Sequence, residues 1–115
     1  MKLSLPFPPS LNHYWRYTPR GVLISKRGRA YRNEVYAAIL EQRGSRPLIM
    51  DRIGVSVELC APDKRRRDID NYVKAMLDAL VHGQVIGDDS QVDRLLIHRG
   101  GITKPGRCYV EIELL

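Results

Sequence analysis

The chain has 115 residues, 43% of them hydrophobic and 28% charged, with a formal charge of +6 and a pI near 9.6. These values exclude a disordered tail and leave no room for a core plus a separate substrate module, so a single globular domain over residues 1–115 is expected. The basic surface suits a polyanionic partner, nucleic acid first among them, or else serves solubility alone, and only the placement of the charge separates the two.

Leu3, Leu5 and Phe7 alternate with Lys2, Ser4 and Pro6, which predicts a short strand ended by Pro8 and Pro9, since proline cannot donate to a ladder. A stiff extended segment should follow. Asn12-His13-Tyr14-Trp15-Arg16-Tyr17 is aromatic and basic, and Arg20-Gly21 can turn it into a second stretch at Val22-Leu23-Ile24. Ser25 is the expected N-cap of a helix running to about Gln42, with Tyr31, Val35, Ala38 and Ile39 on the face that packs on a sheet and Gly44 as its stop.

Between Arg52 and Ala61, Ile53, Val55, Val57 and Leu59 recur with period two and predict a half-buried strand. Residues 71–81 predict an amphipathic helix, with Tyr72, Val73, Met76, Leu77 and Leu80 as its apolar stripe and Asn71, Lys74 and Asp78 on another face. Two closing strands are expected over residues 92–98 and 108–114, joined through Gly100-Gly101 and Lys104-Pro105-Gly106. The sum is a two-layer α+β domain, a mixed or antiparallel sheet packed with two main helices. Cys60 and Cys108 lie in strand-like runs, away from metal-ligand spacing, and are expected to be small buried hydrophobes in a reduced compartment. No stretch is long and apolar enough for a signal peptide or a membrane span, so the expectation is a cytoplasmic protein with no membrane partner. P-loop and dinucleotide glycine motifs, a G-x-S-x-G elbow and H-E-x-x-H are all absent.

The chemistry concentrates in Lys64-Arg65-Arg66-Arg67-Asp68-Ile69-Asp70-Asn71, where four cations abut two carboxylates between the long strand and the second helix. A phosphodiester hydrolase needs that juxtaposition: cations to hold the backbone, and carboxylates to hold a Mg²⁺ that neutralises phosphate and activates water. Asp68 and Asp70, two apart, leave an extended backbone on the same side, and Lys74 lies one turn beyond Asp70 if a helix starts there. The plain alternative makes Asp70 an N-cap, Lys74 its (i, i+4) partner and the arginines a solvated turn. A third carboxylate is available in Asp88-Asp89, which the chain can bring back within reach of the first two, with Gly83 and Gly87 easing the reversal; Gly-Asp-Asp is also an ordinary turn sequence, with Asp88 as its solvent-facing member.

The order of these elements resembles the RusA family of Holliday junction resolvases over nearly the whole chain. The resemblance runs through Pro6-Phe7-Pro8-Pro9-Ser10-Leu11-Asn12-His13-Tyr14-Trp15-Arg16, then Ser25 to Arg32, the arginine-rich Asp-x-Asp-Asn block, Lys74, Asp78-Ala79-Leu80 and Asp88-Asp89-Ser90-Gln91-Val92. It implies a Mg²⁺-dependent crossover junction endodeoxyribonuclease, with Asp68, Asp70 and Asp89 as metal ligands and Lys74 as the catalytic lysine. Asp88 is the weaker member of its pair. Ser10, Leu11, Asn12, His13, Lys64, Arg65, Arg66, Arg67 and Asn71 match the family's DNA-contacting segments. Lys64 stands where other members of the family can carry arginine, and a lysine still offers phosphate contact, though not a bidentate one. The implied partners are four-way junction DNA and a second copy of the chain, in DNA recombination and repair.

His13, His82 and His98 lack ligand spacing and are expected to be surface or loop residues, His13 gaining interest only from its neighbours. Tyr14, Trp15 and Tyr17 can stack on unpaired bases, but a core or subunit interface is the commoner fate of such aromatics, and Trp15 is assigned to one of those. Arg94, Arg99, Lys104 and Arg107 extend the basic face or are merely solvated. The rivals of the resolvase reading are a non-catalytic basic DNA-binding module and a metal nuclease for other branched DNA.

Overall fold

Period-two alternation builds the centre of the molecule, which a computed structural model describes over residues 1–115. Strand β4 (Ile53–Cys60) buries Ile53, Val55, Val57 and Leu59 on one face, and β6 (Arg107–Leu114) answers with Cys108, Val110 and Ile112. With β1 (Lys2–Pro6) and β5 (Val92–Arg99) these strands form a sheet in the order β1-β6-β4-β5. β6 runs antiparallel to both β1 and β4, whereas β4 and β5 are parallel, so the sheet is mixed. The two closing strands, consecutive in the chain, are therefore not neighbours: β6 inserts between β1 and β4, and β5 is left as an edge.

Two helices cover the apolar face. α2 (Lys26–Arg43) is capped by Ser25, whose hydroxyl accepts from the Gly28 N–H, and ends at Gly44 with φ 69°. It buries Tyr31, Val35 and Ile39; Ala38, at the rim of that stripe, is half-buried. α3 (Val73–His82) buries Ala75 and Ala79 as well as Val73, Met76, Leu77 and Leu80, because it packs beside α2 and shares one core cluster with the sheet. The opposite sheet face is open and nearly charge-balanced, with Arg94 paired to Glu113 and His98 3.1 Å from Glu58. No helix is long and apolar enough to cross a membrane.

The segment after Pro8-Pro9 departs from the extended form expected of it at Leu11–Tyr14 alone, and the expected turn at Arg20-Gly21 into a second stretch is present. Residues Leu11–Tyr14 form a one-turn helix, α1, and β2 (Trp15–Thr18) pairs with β3 (Gly21–Ile24) in a separate hairpin. Tyr14, for which a core or a subunit interface was expected ahead of base stacking, is fully buried in the core. Its hydroxyl donates to Asp78 and accepts 2.8 Å from Arg32 Nε, while Arg32 Nη2 donates to Asp78 Oδ2 at 2.6 Å. Burial first, and then the hydrogen bond to Asp78, pushes the phenol well above its ordinary range, so it remains a neutral donor. This cluster ties α1, α2 and α3 together. Trp15 packs edge-on against Tyr14 at the border of the core, and the exposed apolar side chains of the hairpin are Tyr17, Val22 and Leu23.

Both cysteines are free and buried; burial pushes the Cys108 thiol up to about 12, which keeps it an inert core group. The reversal after α3 uses its residues differently from the expectation. Gly83 has an ordinary φ of −78°, and the left-handed residue is Gln84 at φ 60°. Gly83 is needed for space, since a Cβ there would sit 2.5 Å from Ile39 Cδ1 and 3.1 Å from the Ala79 carbonyl oxygen, so the buried Ile39 side chain would have to shift.

Candidate active site

The parallel β4–β5 pairing sets the site, because its crossover passes through residues 61–68, a 3-10 turn (Ile69–Tyr72), α3 and a second 3-10 turn (Asp89–Gln91) before reaching β5. Every carboxylate of the candidate site lies on this connection. Asp68 occupies the N-cap position of the first turn, where its carbonyl accepts from Asn71 N at 3.1 Å, but its side chain makes no capping bond and is exposed. Asp70 is exposed within that turn rather than at the start of the helix, which begins at Val73. Two parts of the plain alternative fail: Asp70 caps nothing, and Lys74 pairs with Asp89 rather than with Asp70.

Lys74 Nζ lies 2.6 Å from Asp89 Oδ2, with both side chains partly exposed. Residues fifteen apart in sequence meet because the return path is tightly pinned. Asp88 caps the second 3-10 turn, accepting from Ser90 N at 3.0 Å, and hydrogen bonding from Ser90 is the leading cause that holds its carboxyl below the usual range. Gln91, buried, accepts from Gly87 N and Asp88 N at 2.8 Å and donates to the carbonyls of Ile49 and Asp51 at 2.9 Å. Asp88 and Gln91 are occupied in building the turn, and Asp89 is the member left to face Lys74. The structural role of Gln91 was missed from sequence, although the Asp-x-x-Gln spacing of a capping box was its signal.

Asp68, Asp70 and Asp89 offer only hard oxygen donors, which suit a small divalent cation better than a soft one. No three His, Cys, Asp or Glu side chains lie close enough together to hold an ion in this arrangement, in which the Lys74 ammonium holds Asp89. The fit of such a cation therefore rests on donor chemistry, not on an assembled cage.

The basic run divides by environment. Arg67 is only 13% exposed; it pairs with Asp63 Oδ1 at 2.8 Å, lies 5.7 Å over the Phe7 ring, and donates to the Asp63 carbonyl. The Arg67 guanidinium, first among several causes, holds the Asp63 carboxyl below the usual range. Arg65 is highly exposed and 3.4 Å from Asp63, while Lys64 and Arg66 are exposed. A concavity of about 420 Å³ brings Arg66, Asp68 and Asn71 together with Ser10 and Asn12 from the N-terminal Pro-Pro-Ser turn. Ser10 Oγ is 2.7 Å from His13 Nδ1. Leu11, half-buried, begins the one-turn helix that carries Asn12 and His13. His82 and His98 lie elsewhere, at the end of α3 and on the open sheet face.

A mixed sheet with one helical layer, and a concavity that sets Arg66 and Arg67 beside Asp68, defines a small α+β domain built to meet a polyanion. The particular family is specific: the model for "Endodeoxyribonuclease RusA" matches residues 6–113, and the chain belongs to that family. It is similar to the crossover junction endodeoxyribonuclease of Enterobacteria phage HK97, with 39% identity over 108 residues covering 94% of this chain and 89% of the relative. The enzymes of the same name from Shigella sonnei and from Enterobacteria phage 82 are each 37% identical over 110 residues, covering 96% of this chain and 91% of theirs.

Proposed function

We propose that this chain is a metal-dependent endodeoxyribonuclease that resolves Holliday junctions by nicking two opposed strands, leaving ends that ligase can seal, in DNA recombination and repair in the cytoplasm. The observation that carries the reading is the meeting of opposite charges along one crossover: Asp68 lies beside Arg66 and Asn71, and Lys74 draws Asp89 to the start of α3. The names of the relatives support the substrate, since each is a crossover junction endodeoxyribonuclease.

Asp68, Asp70 and Asp89 would hold the cation, and Mg²⁺ suits their all-oxygen chemistry. When bound, it supplies charge neutralisation at the phosphate and a lower pKa for the attacking water. The chain's own residues do the rest. The Lys74 ammonium stabilises charge developing on the transferred phosphoryl oxygens, and the Asn71 amide offers N–H groups to the same phosphate. Lys64, Arg65, Arg66 and Arg67 neutralise the backbone, while Ser10, Leu11, Asn12 and His13 steer the strand into the groove. A module that only bound DNA would gain nothing from three carboxylates beside its phosphate contacts, because they repel the backbone.

The test compares cleavage of a fixed four-way junction, a flap and linear duplex, each with and without Mg²⁺, by the natural chain and by Asp70→Asn. Junction-selective, Mg²⁺-dependent paired nicking is expected from the natural chain. Asp70→Asn should lose cleavage and bind the junction as well as or better than before, because a negative charge near the phosphate has gone. Full Mg²⁺-dependent activity in the variant would overturn the assignment of the carboxylates, and equal cutting of flap and junction would favour a nuclease for branched DNA in general.

A further inference from the structure

Arg27 has no part in the site above. It is the second residue of α2, exposed, and takes part in none of the ion pairs of the structure. With Ser10, His13, Arg65 and Arg66 it lines a cleft of about 330 Å³ that has no acidic side chain in its walls. Pro8, Pro9, Pro62 and Pro105 complete much of the lining, so the walls are stiff and lose little freedom when a ligand enters. The cleft shares Ser10, Arg66, Arg67 and Tyr72 with the concavity of Asp68 and Asn71, and the two form one groove.

Two features show that the charge in this cleft is not balanced from within. The first turn of α2 contains Lys26, Arg27 and Arg29 and no acidic residue, the reverse of what the helix dipole favours. Arg27 and Arg66 also bring unpaired guanidinium groups from distant segments into one concavity, an arrangement that costs repulsion unless an external anion relieves it. A guanidinium presents paired N–H donors that match two phosphate oxygens.

We propose that this cleft is a second phosphate subsite, in which Arg27 and Arg66 hold a backbone phosphodiester of the strand whose next phosphates pass Asn71 and Asp68. Arg27 is a positioning residue: it fixes the path of the strand toward the carboxylates and reads no base. The ligand is a nucleic-acid backbone, and to that extent the proposal rests on the junction-nuclease reading.

The experiment measures equilibrium binding of the full chain to a fixed four-way junction in EDTA across a salt series, for the natural chain, Arg27→Ala, Arg27→Lys and Arg46→Ala. Arg46, exposed beyond the far end of α2, controls for the loss of one charge. Arg27→Ala should make the slope of log affinity against log salt shallower by about 0.9, the value of one phosphate contact. Arg27→Lys and Arg46→Ala should keep the natural slope. A junction with one uncharged methylphosphonate linkage, walked along the strand on either side of the cut, should weaken the natural chain at one position and add nothing to the defect of Arg27→Ala there. An Arg27→Ala slope equal to that of Arg46→Ala, or additive losses at every linkage, would overturn the subsite while leaving the nuclease reading intact. No salt-dependent junction binding by the natural chain would instead overturn that reading, and the subsite with it.

Discussion

Arg66 and Arg67 are adjacent and chemically identical, yet their surroundings separate them. Arg67 is held between Asp63 and the Phe7 ring, and Arg99 Nη2 donates to its carbonyl at 2.6 Å, so it orders the loop. Arg66 is exposed and enters no ion pair, leaving its charge for phosphate. Arg66→Ala should therefore flatten the salt dependence of junction binding and leave the melting temperature unchanged, whereas Arg67→Ala should lower both, as salt titrations and thermal melts of the two variants will show. Equal melting temperatures would mean that Arg67 is no more structural than its neighbour. Lys74 permits a second test at this scale. Its ammonium holds Asp89 at 2.6 Å and competes for that carboxylate, so Lys74→Gln should lose cleavage but bind Ca²⁺ more tightly than the natural chain in calorimetry without DNA. Unchanged or weaker Ca²⁺ binding would separate Asp89 from the cation site.

At the scale of elements, the turn that carries Asp89 depends on Gln91. Its amide satisfies two backbone N–H groups and two carbonyls that bridge the Asp89–Gln91 turn to the segment before β4. Gln91→Ala should cost on the order of 3 kcal/mol, measured by chemical denaturation, since those groups lose a buried partner. Cleavage should fall with it as Asp89 loses its support. A cost below about 1 kcal/mol would mean that water replaces the amide at these groups. The elements themselves were largely legible. The Ser25 cap, the Gly44 stop and the alternation of Ile53, Val55, Val57 and Leu59 are local signals, and local backbone chemistry decides them. The one-turn helix at Leu11–Tyr14 was not legible, because four residues carry no periodicity and Tyr14 is held by Asp78 and Arg32, remote in sequence.

For the whole molecule, the resolvase reading calls for a symmetric homodimer. A four-way junction presents two equivalent strands, and one chain has one Asp68-Asp70-Asp89 set, so paired nicking by a single bound particle needs two copies with matched two-fold symmetry. Tyr14 is buried within its own chain and offers nothing to an interface; the apolar side chains left outside the core include Tyr17, Val22 and Leu23 of the β2–β3 hairpin. Light scattering at assay concentration should give twice the 13.2 kDa chain mass. Mixed particles of natural and Asp70→Asn subunits should nick one strand and rarely complete resolution. A monomeric mass with undiminished paired cleavage would leave the dimer without support.

The sequence by itself determined the α+β class, the main helices and strands, and the block in which cations meet carboxylates. Each rests on periodicity, caps or charge read over a few neighbouring residues. Tertiary structure decided what those signals cannot contain. It inserted β6 between β1 and β4, since strand order depends on pairing between distant segments. It set Arg67 against Phe7 while leaving Arg66 free, and gave Lys74 to Asp89 instead of Asp70. Identical side chains part company here because burial and the charge of a remote neighbour, neither of them a local property, set what each can bind.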